Sequence, residues 1–285
     1  MNAVINAICK QVGLQYLQHE NVHGGDINLA FKVHTKNGFY FLKLNNANAY
    51  PAMFVKEAEG LQALQGKSPI KVPAVIAFGE YENLQWLLLE WLEKSAPAGN
   101  FWREFGAGLS LLHQNEGAGF GWENDNYIGS LFQSNKQCDN WAEFYTSQRI
   151  LPLVKQLFDA SLFTKNDIDT AEKLCNRFEE IFPPEKPSLL HGDLWSGNFM
   201  VTGSGLPAIY DPSVYYGHRE MDICMTKLFG GFDSSFYDHY NESFPLEKDW
   251  RKRLPVTQLY PLLVHAGLFG GNYISRCRNI INDWK

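Results

Sequence analysis

Apolar and polar residues alternate through "NLAFKVHT" (28–35) and "GFYFLKLN" (38–45), with the polar turn "TKNG" joining them. Period-two alternation suits a half-buried strand and Asn-Gly suits a tight reversal, so a β-hairpin is predicted here. In "YPAMFVKEAEGLQALQ" (50–65) the period lengthens. Phe54, Ala58, Leu61 and Leu64 fall on one helical face, and Pro51 suits the start of that helix. "LQWLLLEWLEK" (84–94) reads as a buried strand with a polar exit, and "APAGN" (96–100) reads as a linker. The pattern therefore divides the chain near residue 93, into an N-terminal lobe of 1–93 and a C-terminal lobe of 94–285.

After that point helical stripes take over: "FWREFGAGLSLLHQ" (101–114), "NWAEFYTSQRILPLVKQLF" (140–158), "DIDTAEKLCNRFEEIF" (167–182), "REMDICMTKLF" (219–229) and "LYPLLVHAGLFG" (259–270). Two short strands interrupt them, around "LLHGDLWSGNFMV" (189–201) and "GLPAIYDP" (205–212). The predicted class is α+β: a small antiparallel sheet lobe with one main helix, then a larger, mostly helical lobe. A cleft between two such lobes is a common place for a ligand.

Composition agrees with a folded globular chain: 285 residues, 45% apolar and 20% charged. A formal charge of −6 argues against nucleic acid or an anionic membrane as the main partner, since both are bound through clustered Lys and Arg. No run of 18 uncharged apolar residues occurs, and the first residues lack a basic segment followed by an apolar one. The expectation is a cytoplasmic chain without a membrane span. Cys9, Cys138, Cys175, Cys224 and Cys277 are widely spaced and odd in number, which favours reduced, mostly buried thiols over a zinc site or a disulfide scaffold.

The candidate chemistry lies in "HGDLWSGN" (191–198), where the spacing is H-x-D-x-x-x-x-N, with Asp211 thirteen residues beyond Asn198. One carboxylate that takes the proton of an attacking hydroxyl, with an amide and a second carboxylate that hold Mg²⁺ on nucleotide phosphates, is a phosphoryl-transfer arrangement. Asp193 is the candidate base; Asn198 and Asp211 are the candidate metal ligands. The alternative is a hairpin whose Asp and Asn merely cap turns.

These residues, with "GGDIN" (24–28), "FLKLN" (41–45), "MFVKEAEGL" (53–61), "NDNYIGS" (124–130), "DPSVYYGHRE" (211–220) and "LFGGF" (228–232), resemble the fructosamine kinase, or ketosamine 3-kinase, family. The resemblance runs over almost the whole chain and implies a bilobal protein-kinase-like fold, shared with aminoglycoside phosphotransferases, that uses ATP and Mg²⁺. It further implies that the acceptor is the C3 hydroxyl of a ketosamine, either a small molecule or a glycated protein lysine. Another small-molecule kinase of the same fold, and a non-catalytic nucleotide-binding protein, remain as alternatives. A monomer or weak dimer is expected.

Lys43 sits in an apolar strand, where a lone ammonium is costly, and Glu57 falls on the apolar face of the following helix, so the two are expected to pair. By resemblance Lys43 then meets the α and β phosphates. Gly24 and Gly25, with Asn28, suit a hairpin tip close to phosphates. The resemblance places adenine against the backbone of Glu90 and Leu92, and places Asp125, Asn126, Trp195, Tyr216, His218 and Arg219 near the acceptor. His191 is expected to shape the catalytic loop, and the resemblance implies that Asp222 accepts hydrogen bonds from its backbone, the alternative being an acid at a helix N-terminus.

Overall fold

A computed structural model of the chain describes residues 1–23 and 27–284. Helix α1 (Asn2–Gln11) leads into strands β1 (Tyr16–Val22), β2 (Leu29–Thr35) and β3 (Gly38–Asn46); helix α2 (Met53–Leu64) follows, then β4 (Val75–Tyr81) and β5 (Leu84–Glu90). The five strands form one sheet in the order β1-β2-β3-β5-β4, antiparallel throughout.

The pleat sorts side chains between two faces. Leu42, Leu44, Trp86 and Leu88 pack with Ile5, Ile8 and Cys9 of α1. Leu87 and Leu89 pack with Phe54, Ala58 and Leu61 of α2. Lys43 lies between Leu42 and Leu44 and opposite Leu87, so it is on the α2 face. The expected hairpin is present as β2 and β3. Two helices rather than one accompany the sheet, because α1 also covers a face of it. Helix α2 begins two residues after Pro51, at Met53, after Ala52 takes a left-handed turn at φ 56°.

Helix α3 (Phe101–His113) follows the linker, then a small hairpin of β6 (Asn126–Ile128) and β7 (Leu131–Gln133). Next come α4 (Trp141–Phe144), a π-helical turn over Tyr145–Ile150, α5 (Leu151–Asp159), α6 (Lys165–Cys175) and α7 (Phe178–Ile181). Four short strands, not two, surround the candidate loop: β8 (Ser188–Leu190), β9 (Phe199–Val201), β10 (Pro207–Ile209) and β11 (Tyr215–Gly217). β9 pairs with β10, and β8 with β11. The chain ends in α8 (Glu220–Leu228), α9 (Ser234–Ser243), α10 (Trp250–Thr257), α11 (Leu259–Phe269) and α12 (Asn272–Trp284).

One apolar cluster runs from Leu61 and Leu89 through Phe105, Ile209 and Val214 to Phe236, so the sheet and the helical part share a core. All five cysteines are free, and all but Cys138 are buried. No helix among the described residues is long and apolar enough to cross a membrane.

Candidate active site

Strand β3 delivers Lys43 to a point where two carboxylates reach it. Its ammonium lies 2.8 and 3.0 Å from the two oxygens of Glu57 and 2.6 Å from Oδ1 of Asp211. Burial works against the charge on Lys43, but Asp211 and then Glu57 outweigh it, and its pKa is held above the ordinary lysine range. Burial likewise pushes the Glu57 carboxyl up, against the pull of Lys43. The helical-wheel reading of Glu57 thus finds its cation, and Asp211 joins the same pair from 168 residues away.

Asp193 follows β8 in a loop that turns back into β9. Asn198 donates its amide nitrogen to the Asp193 carboxylate at 3.0 Å and to the Asp193 backbone oxygen at 2.9 Å. With the nitrogen so used, the amide oxygen of Asn198 is the atom left to face a cation. Burial, and then the neighbouring Asp211 charge, push the Asp193 carboxyl up to about 7. Asp211 takes a left-handed backbone, φ 55°, which Asp tolerates better than most residues. One carboxylate and one amide oxygen beside an open cleft suit Mg²⁺, which completes its shell with waters and phosphate oxygens. Among the described residues no three His, Cys, Asp or Glu gather into a closed cage.

The loop is held from beneath. Asp222, fully buried on α8, accepts the backbone N–H groups of His191 at 2.7 Å and Gly192 at 2.9 Å. Its third partner is His113 Nε2, 3.1 Å away, whose other ring nitrogen meets the Tyr240 hydroxyl at 2.8 Å. Burial alone would raise the Asp222 pKa; the bond and charge of His113 outweigh it and keep the carboxylate ionised. His191 Nε2 donates to the Tyr210 carbonyl, and its Nδ1 accepts the Asp193 N–H. That bonding fixes the tautomer and burial lowers its pKa, so it is a neutral strut. Gly192 is needed outright: its φ is +84°, and a Cβ there would lie 2.0 Å from the Ser213 carbonyl oxygen.

These groups open into a cleft of about 550 Å³ lined by Lys43, Glu57, Asp193, Asn198 and Asp211, with Trp195 on one wall. Asn28 lines it too, its side-chain oxygen accepting from Asn45. Gly24 and Gly25 lie outside the described residues. Asn126 reaches the cleft, but its amide is committed to Val214 and Gln133, so it braces the β6–β7 hairpin. Asp125 accepts the Asn135 N–H instead of lining the cleft.

Three more expected acceptor contacts lie elsewhere, because β11 runs away from the cleft beside β8. Tyr216 packs on Trp122. His218 is buried between Trp141 and Phe182, and Arg219 is paired with Glu185 at 2.8 Å and bonded to the Phe244 and Pro245 carbonyls. The Glu90 carboxylate meets Lys71 and the Ala74 N–H, while the expectation of adenine there concerns its backbone. The sheet ladder ends at Glu90, which leaves the backbone around Leu92 outside it. Sequence reasoning missed His113 altogether, since one His on an apolar helical face carries no sign of the acid it meets.

The whole chain, residues 1–285, matches the family model described as fructosamine kinase. The chain belongs to the fructosamine kinase family. A probable ketoamine kinase of Enterococcus faecium is 38% identical over 92% of this chain and 94% of its own. The chloroplastic protein-ribulosamine 3-kinase of Arabidopsis thaliana is 36% identical over 93% of this chain and 81% of its own. Among solved structures, one from Thermobifida fusca, assigned provisionally as a fructosamine-3-kinase, superposes with a TM-score of 0.89 at 31% identity, covering 99% of this chain and 98% of that one. An aminoglycoside phosphotransferase shares the fold at 15% identity, with a TM-score of 0.64 over 99% of both chains. The fold is therefore kinase-like, and the chain is a phosphotransferase of the fructosamine kinase family.

Proposed function

We propose that this kinase transfers the γ-phosphoryl group of Mg-ATP to the C3 hydroxyl of ketosamines, free or carried on protein lysines. The observation that carries the reading is the meeting, in one cleft, of Asp193 and Asn198 with the Lys43–Glu57–Asp211 cluster. Asp193 orients the hydroxyl and takes its proton; the oxygen then attacks phosphorus and ADP leaves. Asn198 and Asp211 hold the cation, which when bound neutralises charge on the phosphates. Lys43, kept protonated by its two carboxylates, faces the α and β phosphates. Adenine is placed against the backbone of residues 90–92. Trp195 offers an aromatic face to a cationic or polyhydroxylated acceptor.

A 3-phosphate next to the C2 carbonyl is unstable: inorganic phosphate is eliminated from C3, and water then cleaves the C1–N bond to free the amine and a sugar-derived dicarbonyl, which makes the reaction a deglycation. The sugar is that of a fructosamine, ribulosamine or erythrulosamine. A cytoplasmic enzyme, monomeric or weakly dimeric, fits this role. The test is to incubate the protein with Mg-ATP and a panel of ketosamines, aminoglycosides and choline, and to follow the products by phosphorus NMR. Phosphorylation at C3 of a ketosamine supports the reading. Transfer confined to another alcohol, or ATP turnover on none, would replace it.

A further inference from the structure

A second lysine lines the cleft, and no ion pair or hydrogen bond involves its ammonium among the described residues. Lys56 lies on α2 one residue before Glu57, and with Met53 and Glu57 it forms the edge of the helix that faces the cleft. Residues three and four apart share a helical face, so the placement follows from the backbone. Three carboxylates line the same cleft, yet none pairs with Lys56: Glu57 and Asp211 are taken by Lys43, and Asp193 by Asn198.

Lys43, in contrast, shares its ammonium between two carboxylates. Its nitrogen lies 2.6 Å from an Asp211 oxygen and 2.8 and 3.0 Å from the two Glu57 oxygens, so much of its charge is already offset. Phosphoryl transfer spreads negative charge over the γ-oxygens, and catalysis there consists of positioning and electrostatic stabilisation. In this acidic cleft Lys56 is, among the described residues, an ammonium left free for that charge. On the acceptor side the ketosamine nitrogen is itself cationic near neutral pH, so Lys56 would find opposite charge there only where the amine carries a carboxylate.

We infer that Lys56 binds the γ-phosphate of ATP and stabilises its charge during transfer, as a second phosphate-binding lysine beside Lys43. The assignment rests on the reading of the cleft as the Mg-ATP site.

Calorimetric titration of the full-length wild type, Lys56→Met and Lys56→Arg with Mg-ADP and with a Mg-bound non-hydrolysable ATP analogue tests it. A lost charge-assisted contact predicts roughly tenfold or more weaker binding of the analogue to Lys56→Met, with ADP affinity within about twofold of wild type. Lys56→Arg should recover most of the analogue affinity. In steady state kcat falls for Lys56→Met, while KM is unchanged for both neutral and carboxylate-bearing ketosamines. Equal weakening of both nucleotides, or of neither, overturns the assignment. So does a rise in KM confined to carboxylate-bearing ketosamines, which would place Lys56 on the acceptor. A wild type that binds neither nucleotide would remove the Mg-ATP reading and this assignment with it. Lys56 is half-buried on a helix surface, so unliganded melting of both variants should match wild type.

Discussion

A carboxyl with a pKa pushed up to about 7 is poised to exchange a proton near neutral pH, and Asp193 is in that state. As the proposed base, it can accept the hydroxyl proton only when ionised. In the free enzyme kcat/KM should therefore rise with pH through about 7, not through the ordinary carboxylate range, while a bound metal cation favours ionisation and moves the limb of kcat lower. A pH–rate profile checks this. The same shift sets a stability effect of opposite value to catalysis. Because the folded pKa lies above the unfolded one, the native state holds more protons between about 4 and about 7, and stability falls as pH rises across that window. Asp193→Asn should thus be more stable than wild type above pH 7, by about 1–3 kcal/mol in urea denaturation. Lys43→Met should act the other way, losing about 2–3 kcal/mol above neutral pH, where Glu57 would stay charged without its cation and the half-exposed Asp211 is partly screened by water. Acidification should shrink that loss as Glu57, whose carboxyl burial pushes up, takes up a proton. Lys43 and Glu57 were legible because a buried charge at a fixed strand or helix position demands a partner; that Asp211 is the second partner was not, since nothing local marks a contact across 168 residues.

Helix α8 and the loop after β8 work as a unit through Asp222. Replacing it by Ala leaves the His191 and Gly192 N–H groups without their acceptor, and His113 without its acid, in a fully buried place. A loss of about 2–5 kcal/mol is expected in thermal or urea unfolding, with turnover falling further than nucleotide affinity as the base is displaced. Gly192→Ala should be at least as damaging, for steric reasons alone. At this scale the hairpin of β2 and β3, α2, α3 and the buried strand β5 were legible from period and turn residues. Strands β1 and β4 were not: β4 alternates half-buried with exposed positions and puts Ile76 and Phe78 on the exposed side, and β1 leaves Leu17 exposed, so neither shows a clean apolar face. Helix α9 is polar in sequence and is fixed chiefly by packing on α3 through Phe236 and Tyr240, which propensity alone does not reveal. The misplaced Tyr216, His218 and Arg219 share one cause. They follow Asp211 closely in sequence, but β11 pairs back onto β8 and carries them behind the loop.

Across the whole molecule, the sheet with α2 supplies Lys43 and Glu57 while the helical part supplies Asp193, Asn198 and Asp211, so the site exists only when both are docked. A ligand that bridges them should stabilise the fold by mass action, by about 2.7 kcal/mol at a hundredfold excess over Kd. Melting with ATP should rise with Mg²⁺ and fall back when the metal is chelated. The direct measurement of the central claim uses Asp193→Asn with γ-labelled Mg-ATP and a ketosamine, with nucleotide affinity and labelled product measured on one preparation. The expected result is nucleotide affinity at or above that of wild type and transfer to the sugar slowed by roughly 10²–10⁴-fold. Transfer at the wild-type rate would show that Asp193 is not the base and would contradict the account.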